Sequence, residues 1–181
     1  TGISDPETYY DEHDEEEWKR LDSSLHGRLE WENTVDVLEQ HLPEEGQVLD
    51  AGGGAGRYTV WLAEQGYEVT LVDLSEGQRK VARERVADRN LEHSVVIQEG
   101  DIRNLTFDAG RFDVTMCLGG PLSHVLDADE RASAVREIKR VTAAGGPIFV
   151  SVMGLLNLLT ILLIAPKRLG LLPELAESGD Y

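Results

Sequence analysis

The spacing of hydrophobic positions changes along the chain, and each change predicts an element. Leu29, Val35, Leu38 and Leu42 fall near one face of a helix that Pro43 ends. Val48-Leu49-Asp50 reads as a short strand, followed by a glycine loop at residues 52–56 and a helix from Tyr58 to Ala63 that Gly66 closes. Residues 68–73 (Glu-Val-Thr-Leu-Val-Asp) form a second predicted strand. Ser75 with Gln78 three positions on is a capping-box signature for a charge-laced helix from Glu76 to about Arg89. Residues 94–97 and 112–118 read as the third and fourth strands. Asp127 and Glu130 open a helix with Val135, Ile138 and Val141 inward, Gly145-Gly146 close it, and 147–152 is the fifth strand.

Strands alternating with helices of this length predict an α/β fold with a doubly wound, mostly parallel sheet covered on both faces and right-handed crossovers. The organisation expected is a helical cap segment over 1–43, an α/β core over 44–153 and a leucine-rich segment over 154–181. The longest apolar stretch, Leu155 to Ala165, is broken by Asn157 and Thr160 and is too short for a bilayer, which needs about 20 residues.

The chemistry concentrates in Asp50-Ala51-Gly52-Gly53-Gly54-Ala55-Gly56. Glycines after a strand and before a helix let the backbone turn sharply and let a ligand approach the main chain. In an open parallel sheet, ligands bind beyond the carboxyl ends of the strands, so the loop is placed for a nucleoside. A dinucleotide fingerprint needs a third glycine that this loop lacks. Its glycines fall at alternate positions, and Asp50 two residues earlier would repel a pyrophosphate and suit a cationic ligand.

With these residues the chain resembles the class I S-adenosylmethionine-dependent methyltransferases over about residues 46–152. Asp50 to Gly56 matches their first motif, D-x-G-x-G-x-G, which implies contacts from Asp50, Ala51, Gly52, Gly54 and Gly56. Asp73, with Leu74 beside it, stands where the family uses an acid to hold both ribose hydroxyls. Gly100-Asp101-Ile102 looks like the motif whose acid reaches the adenine amino group. The fourth strand ends in Cys117-Leu118-Gly119-Gly120-Pro121, which would face the methionine end. Each acid has a plainer reading. Asp73 is also a helix N-terminal acid, Asp101 also caps the turn before Leu105, and Cys117 is more often a small core residue than a nucleophile. The resemblance implies S-adenosylmethionine as cofactor and a Rossmann-like fold. It also implies an N-terminal lid carrying Tyr9 and Tyr10, Tyr10 being the one expected at the cofactor. His124, in the loop after the fourth strand, is the candidate catalytic base. Arg28 is a weaker candidate for the cofactor carboxylate.

The chain departs from the family where an antiparallel C-terminal hairpin is expected and no strands are found after Val152. This leads to the expectation of a truncated chain, or one completed by another subunit, with the fifth strand as an edge open to homo-oligomer pairing. Composition narrows the partners. Lys and Arg number 17 against 34 Asp and Glu, for a formal net charge of −17. That balance argues against a DNA- or RNA-tracking surface, and with Lys19, Lys80, Lys139 and Lys167 as the lysines it resembles proteins of salt-loving microbes. Cys117 stands alone, so no disulfide framework or cysteine zinc site is expected, and the histidines show no metal-ligand spacing. No secretory signal is visible, and a cytoplasmic location is expected. The expected function is methyl transfer to a small-molecule acceptor, with a tRNA or protein acceptor left open. The alternatives are a cofactor-binding module inactive alone and a nicotinamide-dependent oxidoreductase.

Overall fold

In the computed structural model the described residues are Trp18 and 21–152. Five strands form one sheet: β1 (Gln47–Ala51), β2 (Glu68–Asp73), β3 (Val95–Glu99), β4 (Val114–Cys117) and β5 (Ile148–Val150), in the order β3-β2-β1-β4-β5. All four pairings are parallel. The helices are α1 (Leu25–His41), α2 (Arg57–Glu64), α3 (Glu76–Ala87) and α4 (Ala128–Val141), with a 3₁₀ turn at Pro121–His124. The doubly wound α/β expectation therefore matches the described core.

Strand periodicity explains the two faces. Along β1, Val48 joins a cluster with Leu38, Val60, Leu62, Val69, Val114 and Met116. Leu49 and Ala51 join Val72, Phe112, Cys117, Ile138 and Val141 on the other side. Because both faces are covered, residues 48–51 of β1 and all of β4 are buried in succession rather than alternately. Side-chain caps start α1, α3 and α4: Ser24 Oγ accepts from the Gly27 N–H, Ser75 Oγ from the Gln78 N–H, and Asp127 Oδ1 from the Asp129 and Glu130 N–H groups. Each such cap contributes about 1 kcal/mol.

Two inward faces differ from the sequence reading. Leu29 is 47 % exposed, and α1 instead turns Gly27 and Leu38 inward and packs the larger Trp31 ring on the core. In α4, Val135 is 51 % exposed and Ala134 takes its place beside Ile138 and Val141. Among the described residues β5 is a sheet edge, with Ile148 and Val150 exposed. Tyr9, Tyr10 and the segment after Val152, where the hairpin was sought, lie outside the described residues. No helix among the described residues is long and apolar enough to cross a membrane.

The strand order fixes where a ligand can sit. The chain steps outward from β1 to β2 and β3, then returns to place β4 on the other side of β1. At that reversal the loops after β1 and β4 diverge and leave a crevice above the strand ends.

Candidate functional site

The glycine loop follows β1 and folds back onto the end of β2. The Gly52 and Gly53 N–H groups donate to the Val72 carbonyl at 2.8 and 3.3 Å. Gly52, Gly54 and Gly56 have φ of 75°, 52° and 80°, so the alternate-glycine spacing meets a backbone requirement. Gly56 has a second role: a Cβ there would stand 3.0 Å from Ala82 Cβ, so this glycine seats the loop against α3.

Asp50 lies beneath the loop rather than in the crevice. It is 1 % exposed, and its Oδ2 accepts the Thr59 hydroxyl at 2.7 Å. Burial pushes its carboxyl up to about 6, and the Asp73 charge adds to the rise. A side chain at Gly53 would collide with it, the Cβ falling 2.7 Å from Asp50 Cγ.

Asp73 ends β2 and faces the crevice. Its Oδ2 accepts the Gly54 N–H and its Oδ1 the Ser75 N–H, both at 2.9 Å. Burial raises its pKa, while the Ser75 and Gly54 amides oppose the rise. One amide on each oxygen leaves each oxygen a further lone pair, which suits it to accept two hydroxyls. Behind it, Arg79 is 4 % exposed and donates through Nη1 to the Asp73 and Leu74 carbonyls at 2.7 Å. That grip sets the bend between β2 and α3.

Asp101 is held differently. Arg103 Nε donates to both its oxygens at 2.9 Å, Arg103 Nη2 donates to Oδ2 at 2.7 Å, and the Arg103 N–H donates to Oδ1. These bonds hold its carboxyl below the usual range. Arg103 Nη1 also donates to Glu130 Oε2 at 2.6 Å, tying the loop after β3 to the first turn of α4. The turn-capping reading of Asp101 is thus present in the structure, through its own neighbour's N–H.

These elements enclose a cleft of about 500 Å³. Of the residues singled out from the sequence, Gly52, Gly54, Asp73, Leu74, Asp101, Ile102, Leu118 and His124 line it. Asp50, Ala51, Gly56 and Cys117 do not reach its surface, because the tight loop turns them into the core or the α2–α3 contact. Cys117 is fully buried, and its thiol is pushed up to about 12 by burial and then by the Asp50 charge, which makes it a core residue. His124 ends the 3₁₀ turn on the cleft wall, and burial lowers its pKa. Arg28 is exposed and donates to the Asp22 carbonyl.

Gly119 and Pro121, from the segment expected at the methionine end, also line it, but sequence reasoning missed Leu21, Arg57, Tyr58, Gln78 and Arg103. Arg57 and Tyr58 follow the last loop glycine, a position that signals proximity, but nothing local ties them to Trp31 or Asp22. The lining acids are Asp73, Asp101, Asp127 and Glu130, against the arginines Arg57 and Arg103, and each arginine is already paired with an acid. A pyrophosphate would meet net repulsion here, whereas a ligand with cationic centres fits.

A family model described as a methyltransferase domain matches residues 48–146. The chain is 32% identical over 152 residues to the cypemycin N-terminal methyltransferase of a Streptomyces species, covering 82% of this chain and 57% of that protein. It is 30% identical over 147 residues to a ubiquinone/menaquinone biosynthesis C-methyltransferase of Shewanella sediminis, covering 75% of this chain and 57% of that one. Among solved structures, the PH0226 protein of Pyrococcus horikoshii superposes with a TM-score of 0.67 at 27% identity, covering 81% of this chain and 65% of that one. The chain spans about half the length of the curated relatives it matches.

Proposed function

The chain belongs to the class I S-adenosylmethionine-dependent methyltransferases, and on that premise we propose that it transfers the methyl group of that cofactor to a small-molecule acceptor. The observation that carries this reading is Asp73, a carboxylate anchored from both sides at the foot of the cleft with acceptor capacity left for a ribose diol.

When bound, S-adenosylmethionine supplies a methyl group on a sulfonium, already activated for in-line displacement. The protein's share is mostly positioning. Asp73 takes the ribose hydroxyls, Gly52 and Gly54 offer a side-chain-free backbone, and Leu74 and Ile102 supply apolar walls for the base. Asp101 belongs to the base end as well, with Arg103 already on its carboxylate. Leu118 and Pro121 border the side where the acceptor enters, and His124 stands next to them.

His124 is the proposed catalytic base. A histidine whose pKa lies below its usual value is neutral near pH 7 and can accept the proton that the acceptor's nucleophilic atom loses as its bond to the methyl carbon forms. The relatives' names describe methylation at the N-terminus of cypemycin in one case and C-methylation in ubiquinone/menaquinone biosynthesis in the other, so the named acceptors differ between relatives.

Calorimetry with S-adenosylhomocysteine and with NAD tests the cofactor: binding of the first and not the second is expected, and the reverse would overturn the reading. Radiolabelled S-adenosylmethionine with a metabolite extract then tests transfer. Labelled product is expected, and replacing His124 with alanine should cut its formation by about 100-fold. Tight cofactor binding with no product would identify a binding module instead, and unchanged turnover in the variant would remove His124 from the mechanism.

A further inference from the structure

Arg57 is the first residue of α2, immediately after the last loop glycine. It is also the point at which the chain before β1 is fastened to the cleft. Its Nη2 donates to Asp22 Oδ1 at 2.7 Å. Its guanidinium carbon lies 5.2 Å from the Trp18 ring centre and 4.9 Å from that of Trp31. Trp31 in turn stacks on Tyr58, with centroids 5.1 Å apart and planes 18° from parallel.

Two of the residues held in this way are cleft walls. Leu21, 3 % exposed, precedes Asp22 and lines the cleft, and Tyr58 lines it from the other side of the same grip. An exposed ion pair alone contributes little, and Asp22 is 58 % exposed. A guanidinium lying over two indoles is a different case, because the cation–π attraction grows as water is excluded, and the Arg57 side chain is only 22 % exposed. Trp18 also lies within 5.2 and 5.3 Å of Arg85 and Arg89, but neither of those lines the cleft.

We propose that Arg57 is a positioning residue for the donor: by holding Asp22, Trp18 and Trp31 it sets the Leu21 and Tyr58 walls, and affinity for the donor depends on that placement. The inference rests on the cleft being the S-adenosylmethionine site. It assigns to the residue after the glycine loop a role in coupling the N-terminal aromatics to ligand binding, acting through other side chains.

Calorimetric binding of S-adenosylhomocysteine to the full chain and a set of variants tests it, with thermal melts alongside. Arg57→Gln is expected to weaken binding by about tenfold and Asp22→Asn by about threefold, the range expected for cation–π and ion-pair losses. The double variant should bind no more weakly than Arg57→Gln alone, since both act through one grip. Arg57→Lys, which keeps a cation over the rings, should recover most of the affinity. Arg89→Gln removes a cation from the same Trp18 ring away from the cleft and should bind like the wild type. If Arg57→Gln does not fold, the contrast between Asp22→Asn and Arg89→Gln still decides. The proposal is overturned if Arg57→Gln binds as tightly as the wild type. It is equally overturned if Asp22→Asn has no effect, or if Arg89→Gln is weakened as much as Asp22→Asn. Failure of the wild type itself to bind would instead overturn the donor site on which the proposal stands.

Discussion

The Gly54 N–H donates to Asp73 Oδ2 at 2.9 Å, so the Asp73 carboxylate ties the glycine loop to the end of β2 beside the Val72 carbonyl, which takes the Gly52 and Gly53 N–H groups. Its other oxygen caps the chain at Ser75. Replacing Asp73 with asparagine turns an amide NH₂ toward one of these backbone donors. The expected cost is about 1–3 kcal/mol of stability, the usual penalty for a buried donor left without an acceptor. Binding of S-adenosylhomocysteine should fall by at least about tenfold, because loop and ribose acceptor are lost together. Urea unfolding and calorimetry on the same preparation check both. A variant that binds as tightly as the wild type would remove Asp73 from the site.

Gly52 and Gly54 differ in what surrounds them, and their alanine variants should differ as well. A Cβ at Gly52 would lie 2.6 Å from Pro121 Cγ, whereas at Gly54 the nearest atom is Gln78 Oε1 at 3.5 Å. Both pay about 1 kcal/mol for a left-handed backbone. Only Gly52→Ala also pushes on the turn that carries His124. Gly52→Ala is therefore expected to lower kcat well beyond Gly54→Ala, read in initial rates at saturating cofactor.

Asp50 predicts a pH dependence of stability. Its folded pKa, about 6, lies above the ordinary value of 3.8, so between these limits the folded chain holds a proton that the unfolded chain has lost. Stability from this group is greatest below pH 4, falls as pH rises toward 6, and is level above that. Asp50→Asn removes the dependence. Relative to wild type it should gain about 2–3 kcal/mol between pH 4 and pH 7, measured by urea unfolding at each pH. A constant difference between the two proteins across that range would refute the assignment.

A formal charge of −17 over 181 residues predicts self-repulsion that salt screens. The melting temperature is expected to climb between 0.05 and 1 M KCl, a range over which the screening length shrinks to about 3 Å. A salt-independent melt would show that the acidic surface carries no such penalty.

What the sequence alone determined was local. Strand β2 runs over Glu68–Asp73, as the apolar run bounded by charges indicated, and Ser75 caps α3 through the Gln78 N–H. Gly52, Gly54 and Gly56 fall where positive φ is required. Periodicity, capping and turn chemistry are properties of neighbours in the chain, so they can be read in order. They place Asp73 and Asp101 on one rim and make the parallel sheet legible.

The tertiary structure decided which side chains meet. Asp50 reads as a ligand carboxylate in the first motif, but Thr59, nine positions on, takes it beneath the loop. Asp101 reads as an open acceptor, but Arg103 occupies it and reaches Glu130, 27 positions away. Arg57 draws no role from the sequence, but Asp22, 35 positions back, and two tryptophans claim it. These pairings arise because helices on either face of the sheet bring distant charges and rings within contact of the loop, and hydrogen-bond and cation–π energies then select among partners that linear spacing cannot rank.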